Sequence, residues 1–174
     1  VTITITENES APTVTISTSA TSIAENAGSS LTLTATLSVA TTADVTVGIS
    51  TSGTGTEGTD YSTISDITIS AGATTGTASF TPTDDSIYEG NETGIVAIST
   101  VSGGSATEDG TQSVTITINE DETAPVVNLS INNSSIAENS DGTITVTATL
   151  SFATIINTTV VIDTSGTATE GTDY

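Results

Sequence analysis

The chain has 174 residues, of which 21 are Asp or Glu and none is Lys, Arg, His or Cys, so its formal net charge is −21. Such a chain has no basic surface for nucleic acid or anionic lipid, no disulfide bonds and no His or Cys ligands for zinc, copper or non-haem iron. It also lacks the His or Lys that would activate a serine nucleophile and an apolar run of about 18 residues that would cross a bilayer, so we expect neither an enzyme nor a membrane-inserted segment.

Apolar residues alternate with Thr along most of the chain, which is the period of a β-strand with one buried face. Leu31, Leu33 and Ala35, for example, are separated by single threonines. No segment shows a helical period. Short strands separated by Gly-containing turns predict an all-β fold of immunoglobulin-like antiparallel β-sandwiches. About seven strands are predicted per repeat: A (13–17, continuing to 24), B (30–37), C (44–50), D (65–70), E (75–81), F (94–100) and G (113–119).

A long segment of the sequence occurs twice at a constant offset. Residues 1–61 align without a gap to residues 114–174, and 37 of the 61 pairs are identical. Self-similarity at a fixed period is typical of tandem arrays. We therefore predict the closing strand of a preceding repeat at 1–10, one complete repeat at 11–123 and the first half of the next repeat at 124–174. The predicted partners are neighbouring repeats of the same chain, with lateral or end-to-end self-association as a further possibility.

Acidic residues are concentrated at one end of the predicted sandwich. Consecutive loops of an up-and-down succession of strands alternate between the two ends, so the AB, CD and EF loops and the exit from strand G share one end. The opposite end carries Glu108 and Asp109, with Asp44 at the start of strand C. The acidic end carries Glu25, Glu57, Asp60, Asp84, Asp85, Glu89, Glu92, Glu120, Asp121 and Glu122.

No cationic side chain balances these carboxylates, so they must extend into water, take up protons or bind a cation. Hard oxygen ligands in irregular loops suit Ca²⁺, which takes 6–8 oxygens, better than Mg²⁺, which demands near-octahedral geometry. For Glu57, Glu92, Glu108 and Asp109, an ordinary solvated turn is an equally good interpretation.

The order and spacing of four motifs resemble those of the Calx-beta domain. The motifs are Gly58-Thr59-Asp60-Tyr61, Ile67-Thr68-Ile69-Ser70-Ala71-Gly72, Asp84-Asp85-Ser86-Ile87-Tyr88-Glu89-Gly90-Asn91-Glu92 and Ile116-Thr117-Ile118-Asn119-Glu120-Asp121-Glu122. The family includes regulatory domains of sodium–calcium exchangers, a domain of an integrin β subunit and repeats of very large bacterial surface proteins.

The resemblance implies Ca²⁺ ligands at one end of the sandwich. Members that bind several calcium ions carry three Asp where this chain has Glu-Asp-Glu at 120–122. Because the Glu side chains are longer, the resemblance does not fix the number of calcium ions bound by this chain. The implied ligands are Glu25, Asp60, Asp84, Asp85, Glu89, Glu120, Asp121 and Glu122, with Glu138 and Asp173 from the next site and Glu7 and Glu9 from the preceding one.

The sequence therefore predicts a structural, calcium-stiffened repeat of a large extracellular or cell-surface protein, such as an adhesin stalk or surface filament. The absence of Lys and Arg also removes every trypsin-type cleavage site. The alternative is a calcium-sensing regulatory module of a membrane protein. Because sensors usually occur as one or two divergent copies, the high identity between copies favours the array.

Overall fold

The structure is a computed structural model that describes residues 1–4 and 10–173. Within these ranges all regular secondary structure is β, and no helix is long and apolar enough to span a bilayer. The strands are β1 (Thr13–Thr18), β2 (Ser22–Ala24), β3 (Leu31–Leu37), β4 (Val45–Gly53), β5 (Ile67–Ile69), β6 (Thr75–Phe80), β7 (Glu92–Ser102), β8 (Thr107–Glu108), β9 (Ser113–Asn119), β10 (Val127–Ile131) and β11 (Val146–Leu150).

The described chain divides into two compact units. The first comprises Val1–Asp85 and Gly90–Asp121, and the second comprises Ser86–Glu89 and Glu122–Tyr174. In the first unit a four-stranded sheet has the order β6-β3-β1-β8, and a five-stranded sheet has the order β2-β9-β7-β4-β5. This arrangement confirms the predicted all-β sandwich.

The core of the first unit is formed by the inward side of the alternating pattern. Leu33 of β3, Val96 of β7 and Ile116 of β9 are fully buried, whereas the threonines between apolar positions are exposed or half-buried. The rings of Tyr61 and Phe80 stack with their centroids 4.6 Å apart. Burial of one face of each sheet supplies the main stabilising free energy of such a fold.

The first predicted strand is in fact two strands in different sheets, so the prediction of a continuous strand from 13 to 24 is wrong. β1 pairs antiparallel with β3, whereas β2 pairs parallel with β9. Between them the Oγ1 of Thr18 donates to the carbonyl of Ala20 at 2.9 Å. Such local bonds of Thr to the backbone compete with the strand ladder and favour turns. The switch carries the segment after β2 to the end of β9.

The loops alternate between the two ends of the first unit as the strand count predicts. At one end Glu25 follows β2 and meets Asn119 at the end of β9. At the other end the carboxylate of Asp44 accepts from the backbone N–H of Ala71 at 2.8 Å, and the backbone of Gly103 lies against Asp44. The acidic loops therefore share one end of the first unit.

The second unit repeats the first hairpin of the first unit, with the same register as the sequence repeat. β10 and β11 pair antiparallel with Val127 opposite Leu150, as β1 and β3 pair with Val14 opposite Leu37. The described part of this unit has no second sheet over the hairpin. Leu129 is consequently 57% exposed, whereas its counterpart Ile16 is 7% exposed.

Candidate metal centre

Three carboxylates of the first unit meet where β2 and β9 end. Glu25, Glu120 and Asp121 each offer an oxygen, and these oxygens lie within 4.8 Å of one another. Two oxygens bound to one Ca²⁺ at 2.3–2.6 Å are separated by at most about 5 Å. The spacing of this group, called here the β2–β9 carboxylate group, is therefore compatible with a shared calcium ion.

Backbone pairing of β2 with β9 positions the β2–β9 carboxylate group. The parallel ladder ends with Ala24 beside Asn119, and the N–H of Glu25 donates to the carbonyl of Asn119 at 2.9 Å. The next residue on each strand is a glutamate. Two side chains far apart in sequence are thereby fixed at one edge of the sheet.

Hydrogen bonds orient the two acidic residues that follow β9. The Oε2 of Glu120 accepts from the N–H of Gly90 at 2.6 Å, while the N–H of Glu120 donates to the Oδ1 of Asn91 at 3.0 Å. The Nδ2 of Asn26 donates to the Oδ2 of Asp121. Because a carboxylate offers about four acceptor positions, these bonds are compatible with binding of a cation by the same groups.

Glu25 is the acidic residue with the least access to water in the described chain. It is only 7% exposed, although the chain contains no Lys, Arg or His side chain to neutralise it. Removing a carboxylate from water beside two others is unfavourable unless hydrogen bonds, a proton or a cation compensate, and a cation compensates all three charges at once. The arrangement is compatible with a cation site to which Glu25 contributes a buried oxygen.

The first unit contains a second pair of carboxylates. Asp60 and Glu92 offer oxygens within 4.8 Å of each other. The Oδ2 of Asp60 accepts from the N–H of Thr56 at 2.6 Å, and the carbonyl of Asp60 accepts from the N–H of Thr83. Glu92 opens β7 opposite Ile118 of β9.

Sequence reasoning treated Glu92 as an equal candidate for a solvated surface residue. In the structure Glu92 is half-buried at the start of β7, and its carboxylate lies with that of Asp60.

Tyr61 adjoins this pair. Burial raises the pKa of its phenol, and the negative charges of Glu57, Asp60 and Glu92 raise it further, while a hydrogen bond with Thr51 acts in the opposite direction. The phenol therefore stays neutral beside the carboxylates at physiological pH.

Glu57 holds a turn together. Its Oε2 accepts from the hydroxyl of Thr51 at 2.6 Å, and its Oε1 accepts from the N–H of Ile64 at 2.6 Å. Both oxygens are thus used locally, which favours the structural interpretation of this residue. At the opposite end Glu108 does the same for its own loop, where its Oε1 accepts from the N–H of Gln112.

The remaining predicted ligands are placed as follows. Asp84 and Asp85 belong to neither carboxylate group of the described residues, and both are exposed. Their role as ligands stays a prediction that comes from the family resemblance. Glu89, Glu122, Glu138 and Asp173 belong to the second unit, and Glu7 and Glu9 lie outside the described residues.

Asp173 reproduces the local geometry of Asp60 in the second unit. Its Oδ2 accepts from the N–H of Thr169 at 2.7 Å, and its own N–H donates to the carbonyl of Thr169 at 2.8 Å. Asp60 makes the same two bonds with Thr56 at 2.6 and 2.9 Å. The turn that presents this carboxylate is therefore a property of the repeat.

Solved structures with the same fold come from the Calx proteins. The apo form of the Calx CBD1 domain aligns with a TM-score of 0.52 and 17% identity, over 63% of this chain and 99% of that one. CBD12 from CALX1.2 aligns with a TM-score of 0.53 and 17% identity, over 67% of this chain and 48% of that one. The calcium binding domain CBD12 of CALX1.1 aligns with a TM-score of 0.50 and 18% identity, over 61% and 43%.

Comparison of sequences agrees with the comparison of structures. A search of curated proteins gave no match. The model of the Calx-beta domain, in contrast, matches residues 7–122 and again residues 120–174, which together are nearly the whole chain. The matched segments contain the motifs and both carboxylate groups described above, and the chain therefore belongs to the Calx-beta domain family.

Proposed function

We propose that the acidic end of the first unit binds Ca²⁺ and that the bound ion stabilises the fold. The observation that carries this proposal is Glu25, a carboxylate 7% exposed beside Glu120 and Asp121 in a chain without a cationic side chain. The set consists of carboxylate oxygens, which are the ligands that Ca²⁺ prefers. One of the solved structures with this fold is described as a calcium binding domain, which supports the same choice of ion.

Binding of calcium relieves the repulsion between carboxylates at this end better than extension into water or protonation does. Exposed carboxylates extend into water, but Glu25 is buried and hydrogen bonds hold Glu120 and Asp121 in place. Protonation near pH 7 requires a large rise in pKa from the ordinary value of about 4. A divalent cation neutralises several carboxylates at once without such a rise.

The biological role we propose is that of a structural repeat in an extracellular array, such as an adhesin stalk or a surface filament. The similar copies in series support an array, and the lack of Lys and Arg supports an extracellular location indirectly, because it removes every trypsin-type cleavage site. Neighbouring repeats are the proposed partners, and no catalytic role is assigned. The calcium ions would restrict the connection between one repeat and the next.

A regulatory module of a membrane protein is the second candidate. The observation in its favour is that the solved structures with this fold are CBD domains of Calx. The number of repeats in the complete protein distinguishes the two roles. Many similar copies in series favour the array, and one or two divergent copies beside membrane spans favour the sensor.

The binding proposal is tested by thermal melts and calorimetric titration of this chain. At a calcium concentration 100 times the Kd, binding to the native state adds about 2.7 kcal/mol to the free energy of unfolding. We expect a higher Tm with calcium than with chelator, and a smaller rise with Mg²⁺ at equal ionic strength. An identical Tm with calcium and with chelator would contradict the proposal.

A further inference from the structure

The second unit contains a short segment, Ser86–Glu89, that pairs with a loop of the repeat that follows it in sequence. The N–H of Tyr88 donates to the carbonyl of Ala153 at 3.3 Å, and the hydroxyl of Thr154 donates to the carbonyl of Tyr88 at 2.6 Å. The backbones of Tyr88 and Thr154 form an isolated parallel β-bridge. Tyr88 also lies with Phe152 in the wall of one pocket. The segment thus adds a single residue of β-structure to this loop.

The first unit has an equivalent loop at the corresponding positions of the sequence repeat, although Thr41 is only 7% exposed there and Thr154 is half-buried. Ala40 and Thr41 correspond to Ala153 and Thr154, and Val39 corresponds to Phe152, so an apolar side chain is kept at this position. Val39 is 51% exposed, and Ala40 is also exposed. They line a pocket together with Ser10, Ala11, Pro12, Thr41, Thr42, Gly104 and Ser105. We call this surface the 39–41 pocket.

The threonine hydroxyl differs between the two loops. In the second unit the hydroxyl of Thr154 donates to Tyr88 and accepts from the N–H of Ile156 at 3.0 Å. In the first unit the hydroxyl of Thr41 donates instead to the carbonyl of Ala43, which is the counterpart of Ile156, at 2.7 Å. To bind a segment as Thr154 does, Thr41 must exchange its hydrogen bond to Ala43 for one to the segment.

We propose that the 39–41 pocket binds the segment equivalent to Ser86–Glu89 of another repeat, supplied in solution by a second copy of this chain. Recognition uses main-chain atoms of Tyr88, the carbonyl of Ala40 and the hydroxyl of Thr41, so it needs no particular side chain on the segment. This is strand addition, in which backbone hydrogen bonds give affinity and an adjoining apolar pocket gives specificity. The two hydrogen bonds of the contact use no carboxylate oxygen.

The experiment adds a peptide of residues 84–91 to the isotope-labelled full chain in chelator and about 0.15 M salt, where repulsion between acidic groups is screened beyond about 8 Å. Backbone amide shifts are followed by NMR. We expect saturable shifts at Val39, Ala40 and Thr41, with a Kd of about 1 mM because the contact is small. The matched variants are Thr41→Val, which removes the donor in the first unit, and Thr154→Val, which removes its counterpart.

Thr41→Val should weaken binding at the 39–41 pocket at least about fivefold, or about 1 kcal/mol, whereas Thr154→Val should leave it unchanged. A peptide with Tyr88→Pro lacks the N–H donor and should not bind there. Absence of shifts at residues 39–41 up to several times the expected Kd would overturn the proposal. The proposal would also be overturned if the peptide bound the Thr41→Val chain as tightly as the wild type. The same holds if the Tyr88→Pro peptide bound the wild-type chain as tightly as the unchanged peptide. Because chelator is present throughout, these outcomes do not depend on the calcium proposal.

Discussion

The N–H of Glu25 donates to the carbonyl oxygen of Asn119 at 2.9 Å, at the point where the parallel pairing of β2 with β9 ends. This single bond fixes Glu25 next to Glu120, the residue that follows Asn119. The carboxylates at this end are therefore brought together by the register of a sheet. Repulsion between them is opposed by the pairing of two strands, and a cation would remove it.

Replacing Glu25 by Gln should have opposite effects with and without calcium. In chelator, Glu25→Gln removes a buried negative charge beside two others, so we expect a Tm equal to or higher than that of the wild type. With calcium the loss of a charged ligand should weaken binding about tenfold or more, which corresponds to about 1.4 kcal/mol. Thermal melts in both conditions measure the two effects.

Glu108→Gln is the matched control for this substitution. Its side chain lies at the opposite end and keeps an oxygen that accepts from the N–H of Gln112. The calcium-dependent rise in Tm should be that of the wild type. Equal losses for Glu25→Gln and Glu108→Gln would show that calcium acts through net charge and not through a site.

Glu92→Gln distinguishes the observed carboxylate groups from the ligands implied by family resemblance. Because Glu92 lies with Asp60, whereas Asp84 belongs to neither group, we expect Glu92→Gln to weaken calcium binding several-fold. Asp84→Asn is the comparison, and calorimetric titration gives the affinity of each variant. A loss for Asp84→Asn with none for Glu92→Gln would mean that the calcium-bound arrangement uses the motif residue instead.

Strand positions were predictable because the apolar period is strict. The alternation of Leu33 and Ala35 with threonines marks β3 within one residue of its observed ends, since only one face of each strand can enter the core. The break between β1 and β2 was not predictable in this way. The alternation continues on both sides of the break, and the pattern does not record which sheet each half joins.

The candidate site was likewise predictable only in part from the sequence. Counting strands places Glu25 and Glu120 at one end, because loops alternate regardless of register. It does not distinguish Glu57, whose two oxygens are used by Thr51 and Ile64, from Glu92, which lies beside Asp60. That difference depends on local side-chain hydrogen bonds for Glu57 and on contact between segments distant in sequence for Glu92. The periodic pattern carries no information about them.

Gly94→Ala should destabilise the first unit. A Cβ at this position would lie 2.7 Å from Cε2 of Phe80 and 2.9 Å from its Cζ, and the Phe80 ring is fixed by stacking on Tyr61. Overpacking of this kind costs about 1–3 kcal/mol. Denaturant unfolding measures the loss. The double variant Gly94→Ala/Phe80→Leu should lose less than the sum of the single variants, and strict additivity would contradict the contact.

Stability should fall at alkaline pH through Tyr61. Burial raises the pKa of its phenol in the folded chain above the ordinary value of 10.0. Above that value the unfolded chain loses the proton while the folded chain keeps it, so the contribution is fully present below about pH 10 and is lost as the pH rises further. The Tm measured between pH 8 and 11 should fall less steeply in Tyr61→Phe. Equal slopes in both proteins would contradict a raised pKa.

Calcium should stiffen a protein that contains three or more of these repeats in series. In the sequence, only Glu122 and Thr123 separate Asp121 from Ala124-Pro125, the predicted start of the next repeat. Proline fixes its own φ and restricts Ala124 to extended conformations, so the connection has little freedom, and an ion bound to Glu120 or Asp121 would reduce it further. In chelator, repulsion between carboxylates should spread the connection over many angles. Small-angle scattering should show a long, well-defined maximum dimension with calcium. After chelation the maximum dimension should be shorter on average and more broadly distributed. Identical scattering profiles in both conditions would mean that calcium does not orient the repeats.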